Sequence, residues 1–171
     1  LTADYFYRYD PPVGGGVGGA FTKLANVPNK AIHRASWTWD GYIYTAGGVD
    51  DSGAVTAKAY RYSIATDTWS DAAMADLPEG RAGSADAYKD NRFYLAGGLN
   101  PTLHPTNTFW VYDRVANTWT PLPDMPLATY RFEAEWAAGG FYTFGGMDPH
   151  SNILADPRVT QSDIAGFHER G

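Results

Sequence analysis

The stretch Tyr42-Ile43-Tyr44-Thr45-Ala46-Gly47-Gly48 returns as Phe93-Tyr94-Leu95-Ala96-Gly97-Gly98 and again as Phe141-Tyr142-Thr143-Phe144-Gly145-Gly146. The Gly pairs stand 50 and then 48 residues apart. Each closes a short apolar run rich in aromatics, the composition of a strand that packs on a half-buried sheet. Self-similarity at a period of about 40 to 50 residues marks a chain of supersecondary units, none of which buries its apolar face alone.

Tyr62 and Tyr112 follow the run by the same interval, and Trp69 and Trp119 come next, each pair 50 residues apart. Arg34, Arg81 and Arg131 precede the run, each after a segment ending at Pro28, Pro78 or Pro126, and read as one repeated landmark. A unit is therefore Arg, a small-residue strand, a tight turn, the aromatic strand closing in Gly-Gly, a variable loop, a strand ending in Tyr and a strand opening with Trp. This resembles the kelch motif over nearly the whole chain. The resemblance implies an all-β, kelch-type β-propeller of four-stranded blades, similar to the central domain of galactose oxidase and to bacterial kelch proteins.

Local chemistry agrees with that pattern. Asp40-Gly41, Asp90-Asn91 and Gly139-Gly140 are two-residue turn signals, because Gly, Asn and Asp tolerate the positive φ a tight hairpin needs. A Gly-Gly pair weakens an ordinary strand, so its recurrence argues that another backbone approaches too closely for a Cβ, with crowding near an axis as the expected cause. The Tyr and Trp of the later strands offer large apolar faces for burial against the next blade.

The ends of the chain read as partial units. Tyr7-Arg8-Tyr9-Asp10 aligns with Val111-Tyr112-Asp113, and Phe21-Thr22-Lys23-Leu24 with Trp119-Thr120-Pro121-Leu122. Asp163 to His168 aligns with Thr108 to Asp113, a third strand without a fourth after it. The expected division is 1–28 as the end of one blade, 31–78 and 79–126 as whole blades, and 128–171 as an incomplete blade. About two complete and two partial blades fall short of the roughly four to eight of closed propellers. Three arrangements stay open: a segment of a six- or seven-bladed propeller, which is the preferred reading, a ring completed by other copies or chains, or a small closed ring.

Composition excludes several function classes. The net charge is -6, from 13 basic and 19 acidic residues, with no Lys/Arg cluster suited to a phosphate backbone, so nucleic acid is not the expected partner. No apolar run approaches the roughly 18 residues of a membrane-spanning helix, so no membrane insertion is expected. Cysteine is absent, which removes disulfides and thiolate chemistry from these residues. The abundance of Thr, Ser, Asn and Asp suggests an extracellular or periplasmic protein.

Arg34, Arg81 and Arg131 are the first candidate ligand-binding residues. The resemblance places the innermost strand and its leading loop at a central channel, where repetition gathers guanidiniums at one mouth, a forked donor array for anions. The alternative is structural: a repeated Arg bridging blades through carbonyls or through carboxylates such as Asp86 or Glu133. The variable loops Val49 to Ala57, Leu99 to Thr106 and Met147 to Thr160 are the second candidate surface, carrying Asp50-Asp51, His104 and His150. Neither the Asp pair nor the two His has metal-ligand spacing, so no metal or cofactor is expected. Trp37, Trp39, Trp110 and Trp136 could stack on sugars, but their strand positions favour packing.

Enzymes of similar architecture supply alternatives. Copper radical oxidases need a cysteine that this chain lacks. Sialic-acid mutarotases use Arg and acidic side chains in the channel, with which Arg34, Arg81, Arg131, Glu133 and Glu135 are compatible. The Glu-x-x-x-Asp-x-x-x-His set of plant specifier proteins is missing, as are nucleophile-elbow and nucleotide-binding fingerprints. The expectation is a non-enzymatic module that recognises a protein or glycan through its loops and an Arg-lined mouth. The alternatives are a secreted carbohydrate-active enzyme, such as an epimerase, mutarotase or lyase, and an assembly subunit completed by another chain.

Overall fold

The structure, a computed structural model, describes residues 4–148. His150 and the strand expected at 163–168 lie outside them. Every regular element described is a strand: β1 (Tyr7–Asp10), β2 (Ala20–Lys23), β3 (Ala31–Ile32), β4 (Ala35–Trp39), β5 (Tyr42–Ala46), β6 (Val49–Asp50) and β7 (Ala59–Ser63). The series continues with β8 (Thr68–Ser70), β9 (Ala85–Lys89), β10 (Arg92–Ala96), β11 (Phe109–Asp113), β12 (Thr118–Leu122), β13 (Glu133–Ala137) and β14 (Gly140–Phe144). Two four-stranded antiparallel sheets, β4-β5-β7-β8 and β9-β10-β11-β12, are flanked by the hairpins β1-β2 and β13-β14. The short pair β3-β6 guards the entrance to β4.

Alternation sets the faces. In β4, Ala35 and Trp37 are buried while Ser36 and Thr38 are exposed, and in β9 Ala85 and Ala87 are buried likewise. The buried face of one sheet meets the next: Trp37 stacks on Phe93 with centroids 5.2 Å apart, and Phe93 in turn stacks on Tyr112 of its own sheet at 5.8 Å. One core cluster thus joins the first four-stranded sheet to the second, and Phe132 carries a smaller cluster on to the third unit. Neither sheet would bury this area alone, which is the physical meaning of the repeat.

The hairpin turns are built as their residues dictate, with one change. Asp40 and Gly41 have φ of 45° and 77°, and Asp90 and Asn91 have 49° and 63°, so both central positions are left-handed. In the third hairpin the left-handed pair is Ala138 and Gly139, at 45° and 81°, not Gly139-Gly140. Gly140 is already paired with Ala137 because Trp136 must face Phe141. Slipping the register by one would turn the aromatic strand away from Tyr94 and Phe109, so packing overrides the better turn sequence.

The Gly pairs lie just beyond their strands; in the first two pairs the first Gly is crowded by the next unit and the second by the entry segment of its own unit. A Cβ on Gly47 would stand 2.2 Å from the carbonyl oxygen of Arg81, and one on Gly97 would stand 2.4 Å from that of Thr129. The following amides use those same carbonyls: Gly48 donates to Arg81 O at 2.7 Å and Gly98 to Thr129 O at 2.8 Å. The pair is a joint in which one unit's backbone hydrogen-bonds its neighbour's entry segment, and the expected crowding comes from that segment.

The Tyr and Trp landmarks form a second joint. Tyr62 donates its hydroxyl to Asp67 at 2.8 Å, and Asp67 also accepts the Ala25 N–H at 2.8 Å, while Trp69 Nε1–H donates to Ala25 O at 3.0 Å. One unit on, Tyr112, Asn117, Ala75 and Trp119 repeat all three bonds. Burial, with the Asp67 contact adding to it, pushes the Tyr62 hydroxyl up to about 12, so it stays a donor.

Candidate functional site

Strand pairing fixes which residues are equivalent at the entry to the first strand. Ala35 opposes Ala46, Ala85 opposes Ala96, and Glu133 opposes Phe144, each partner immediately preceding a Gly pair. His33, Gly83 and Arg131 are therefore equivalent, and the backbone confirms it. Gly83 N–H donates to His33 O at 3.0 Å, and Arg131 N–H donates to Gly83 O at 2.7 Å. All three are left-handed, with φ of 58°, 63° and 54°. A file of peptide hydrogen bonds thus passes from unit to unit where the first strands β4, β9 and β13 converge.

This register corrects the reading of the arginines as one landmark. Arg131 lies in the file, Arg34 one position after it with Ser84 and Phe132 as equivalents, and Arg81 two positions before it with Ala31 and Thr129. The segments between each Pro and the first strand differ in length, so a shared residue type does not mean a shared place.

The three arginines consequently do different things. Arg81 is 3% exposed, with its guanidinium 4.6 Å over the Trp110 ring. It donates through Nη1 to Glu79 at 2.7 Å and to Gly80 O at 2.8 Å, and through Nη2 to Thr108 at 3.2 Å. Its carboxylate partner is Glu79, not Asp86 or Glu133, and it is a packing residue away from the mouth. Arg34 is half-buried and donates through Nη2 to Pro28 O and Asn29 O, while its Nη1 has no hydrogen-bond partner among the described residues. Arg131 is exposed, with Nη2 3.4 Å from His33 Nε2.

His33, Arg34, Ser84, Asp86, Arg131 and Glu133, with Gly83 and Phe132, line a cleft of about 310 Å³. His33 and Arg131 form its rim. Desolvation, then the adjacent Arg131 charge, lowers the His33 pKa, favouring a neutral imidazole. Deeper in, Asp86 accepts the Ser36 backbone N–H, and burial pushes its carboxyl up to about 7, with the Glu133 charge adding to the rise. Glu133 itself is exposed, on the edge of the same cleft. A guanidinium and a neutral imidazole at the rim, with carboxyl groups below them, are what the site offers a ligand.

The variable loops rise on this same face, because Val49 pairs with Ile32 and Leu99 bridges Ala82 beside the entry segments. Their sequences differ but their backbones match. Asp50 Oδ1 accepts the N–H groups of Ser52 and Ala54, and Asn100 Oδ1 accepts those of Thr102 and His104. Asp50 is thus committed to holding its own loop, which keeps its carboxyl below the usual range through Ser52 and Ala54. His104 stands on the exposed rim, with Nδ1 3.0 Å from Thr102 Oγ1, and does not line the cleft. Among the described residues no group of three or more His, Asp or Glu is arranged for a metal.

The tryptophans are occupied elsewhere. Trp37 and Trp110 are buried, Arg114 covers Trp39 at 3.2 Å, and Trp136 packs edge-on against Tyr94 at 5.0 Å. Three polar residues of the cleft escaped the sequence reading as site residues: His33, Ser84 and Asp86. Counting back 14 positions from the first Gly of each pair reaches His33, Gly83 and Arg131, so the signal was a fixed offset, not a residue type.

Four-stranded antiparallel sheets, joined face to face by glycine and tryptophan contacts around converging first strands, are blades of a β-propeller. The Kelch motif matches residues 34–73 and 80–126, and the chain belongs to the kelch-repeat family. Beta-scruin of Limulus polyphemus is 27% identical over 130 residues, 69% of this chain and 14% of that protein. Kelch-like protein terF of Aspergillus terreus is 26% identical over 148 residues, 80% of this chain and 32% of its own length. Kelch-like protein 38 of Rattus norvegicus is 33% identical over 87 residues, 51% of this chain and 14% of that one. The chain thus spans about a third or less of these relatives. The solved structure titled "Structure of YjhT" superposes with a TM-score of 0.67 at 15% identity, covering 88% of this chain and 60% of that one. That likeness concerns the fold.

Proposed function

We propose that the chain is an interaction module whose axial cleft and flanking loops bind a protein partner through an acidic group set against His33 and Arg131. One observation carries the reading. On a shared backbone, the joint positions keep their chemistry from blade to blade, while the cleft positions change from His33 to Gly83 to Arg131 and from Arg34 to Ser84 to Phe132. Side chains freed from the repeat converge at one opening, rimmed by loops that a rigid scaffold holds in place. Arg131 supplies an exposed forked donor, and neutral His33 adds a hydrogen-bonding edge.

The test compares proteins captured from an extract of the expressing cells by the wild type, Arg131→Glu and Val115→Arg. Val115 lies on the β11-β12 hairpin, 91% exposed and on the opposite face. A partner lost with Arg131→Glu and kept with Val115→Arg supports the reading. Equal capture by all three overturns it.

A further inference from the structure

The cleft is lined by two kinds of charge at two depths. His33 and Arg131 face each other across 3.4 Å at the rim. Asp86 sits three residues deeper along its strand than the equivalent Gly83, and the charge that acts on it is another carboxylate, Glu133. Among the described residues neither Asp86 nor Glu133 makes an ion pair with a cation, and Arg34 spends Nη2 on the carbonyls of Pro28 and Asn29. Arg131 at the rim therefore does not neutralise the carboxylates below it.

We propose that the cleft selects a ligand bearing adjacent opposite charges, its carboxylate against Arg131 and His33 and its ammonium against Asp86 and Glu133. This rests on the reading of the cleft as a protein-binding site, and it specifies the segment: an acidic residue next to, or one residue away from, a lysine. Two carboxylates that share a half-buried space repel each other, and an ammonium between them relieves the repulsion while using the lone pairs that Ser36 N–H leaves open. A purely acidic segment would engage the rim and leave Asp86 and Glu133 facing its own charge. Like-charge contact of that kind is how an interface rejects wrong partners.

The experiment titrates the protein with three end-blocked peptides, Asp-Gly-Lys, Asp-Gly-Gln and Asn-Gly-Lys, and follows the backbone amide resonances of Gly83, Ser84 and Asp86. Asp-Gly-Lys is expected to bind about tenfold tighter than either singly charged peptide, the scale of one desolvated charge contact. Asp86→Asn, which retains an oxygen for the Ser36 N–H, removes the lysine's advantage and leaves Asp-Gly-Gln unchanged. Arg131→Gln removes the aspartate's advantage. Equal binding of Asp-Gly-Lys and Asp-Gly-Gln overturns the inference while leaving the protein-binding reading intact. An advantage of lysine that survives Asp86→Asn also overturns it. If Asp-Gly-Gln perturbs none of these amides, the anion-binding role of the rim fails with it.

Discussion

Trp119 donates its indole N–H to the carbonyl oxygen of Ala75 across 44 positions of sequence, at 3.1 Å. Ala75 belongs to the preceding blade, so the bond is a joint between units, and Asn117 completes it by accepting both the Ala75 N–H and the Tyr112 hydroxyl at 2.6 Å. The same arrangement at Trp69, Ala25, Asp67 and Tyr62 shows that the landmark residues of the repeat are its fasteners.

Asn117 is the first place to test this. Asn117→Ala leaves the Tyr112 hydroxyl and the Ala75 N–H without their acceptor and puts Ala at a φ of 54°. The expected cost is about 2–4 kcal/mol, from two lost hydrogen bonds and left-handed strain. Asn117→Asp copies Asp67 and should cost less than about 1 kcal/mol. Denaturant midpoints decide it, and equal losses for the two variants would show that the hydrogen bonds do not hold the joint.

The glycines give a matched comparison. Gly97→Ala drives a Cβ to 2.4 Å from Thr129 O, whereas Gly145→Ala meets nothing within 4 Å among the described residues, and both sites have positive φ, 57° and 76°. Gly145→Ala is expected to cost about 1–2 kcal/mol from φ alone, and Gly97→Ala several times that because the inter-blade hydrogen bond must break. Thermal unfolding of both variants checks it; similar melting temperatures would place the glycine requirement in the turn and not in the joint.

Much of the fold was legible because these fasteners are chemically unusual. Gly-Gly, Tyr and Trp recur at fixed spacing since each takes part in a joint with a neighbouring blade. The site was harder to see. Arg34, Arg81 and Arg131 looked alike, yet they precede the first Gly of their pairs by 13, 16 and 14 positions and so fall at three different places. Glu133 and Arg131 were recognised as candidates, but Asp86 was read only as an arginine partner, and His33 and Ser84 carried no motif. Cleft residues follow no repeat, so only the pairing register brings them together. His104 was judged by its loop, and the fold of that loop turns its ring toward Thr102.

The arginines predict opposite phenotypes. Arg81→Ala removes a guanidinium that covers Trp110 and ties Glu79, Gly80 and Thr108 together, so it should destabilise the protein by about 2–4 kcal/mol. Arg131→Ala, at an exposed side chain, should change stability by less than about 0.5 kcal/mol while weakening partner capture. Urea unfolding alongside capture separates them. A stable Arg81→Ala variant with impaired binding would reverse the assignment.

Asp86 gives a pH prediction whose sign follows from its environment. Its carboxyl holds its proton to about pH 7 in the folded protein, against about 3.9 in an unfolded chain. Between these values the folded state binds the extra proton, so wild-type stability falls as pH rises through that window and levels off above it. Asp86→Asn removes this dependence. Its melting temperature relative to wild type should therefore be higher at pH 8 than at pH 5, and a gap that does not change with pH would mean Asp86 is not buried beside Glu133.

If the proposed function holds, a partner binds the face that carries the cleft. Hydrogen–deuterium exchange of the protein with its captured partner tests it most directly, by comparing the two faces in one experiment. The account predicts added protection at 33–36, 83–86 and 131–133 and in the loops 50–54 and 100–104, with none at the turns 40–41, 90–91 and 114–117. Protection confined to those turns would contradict it.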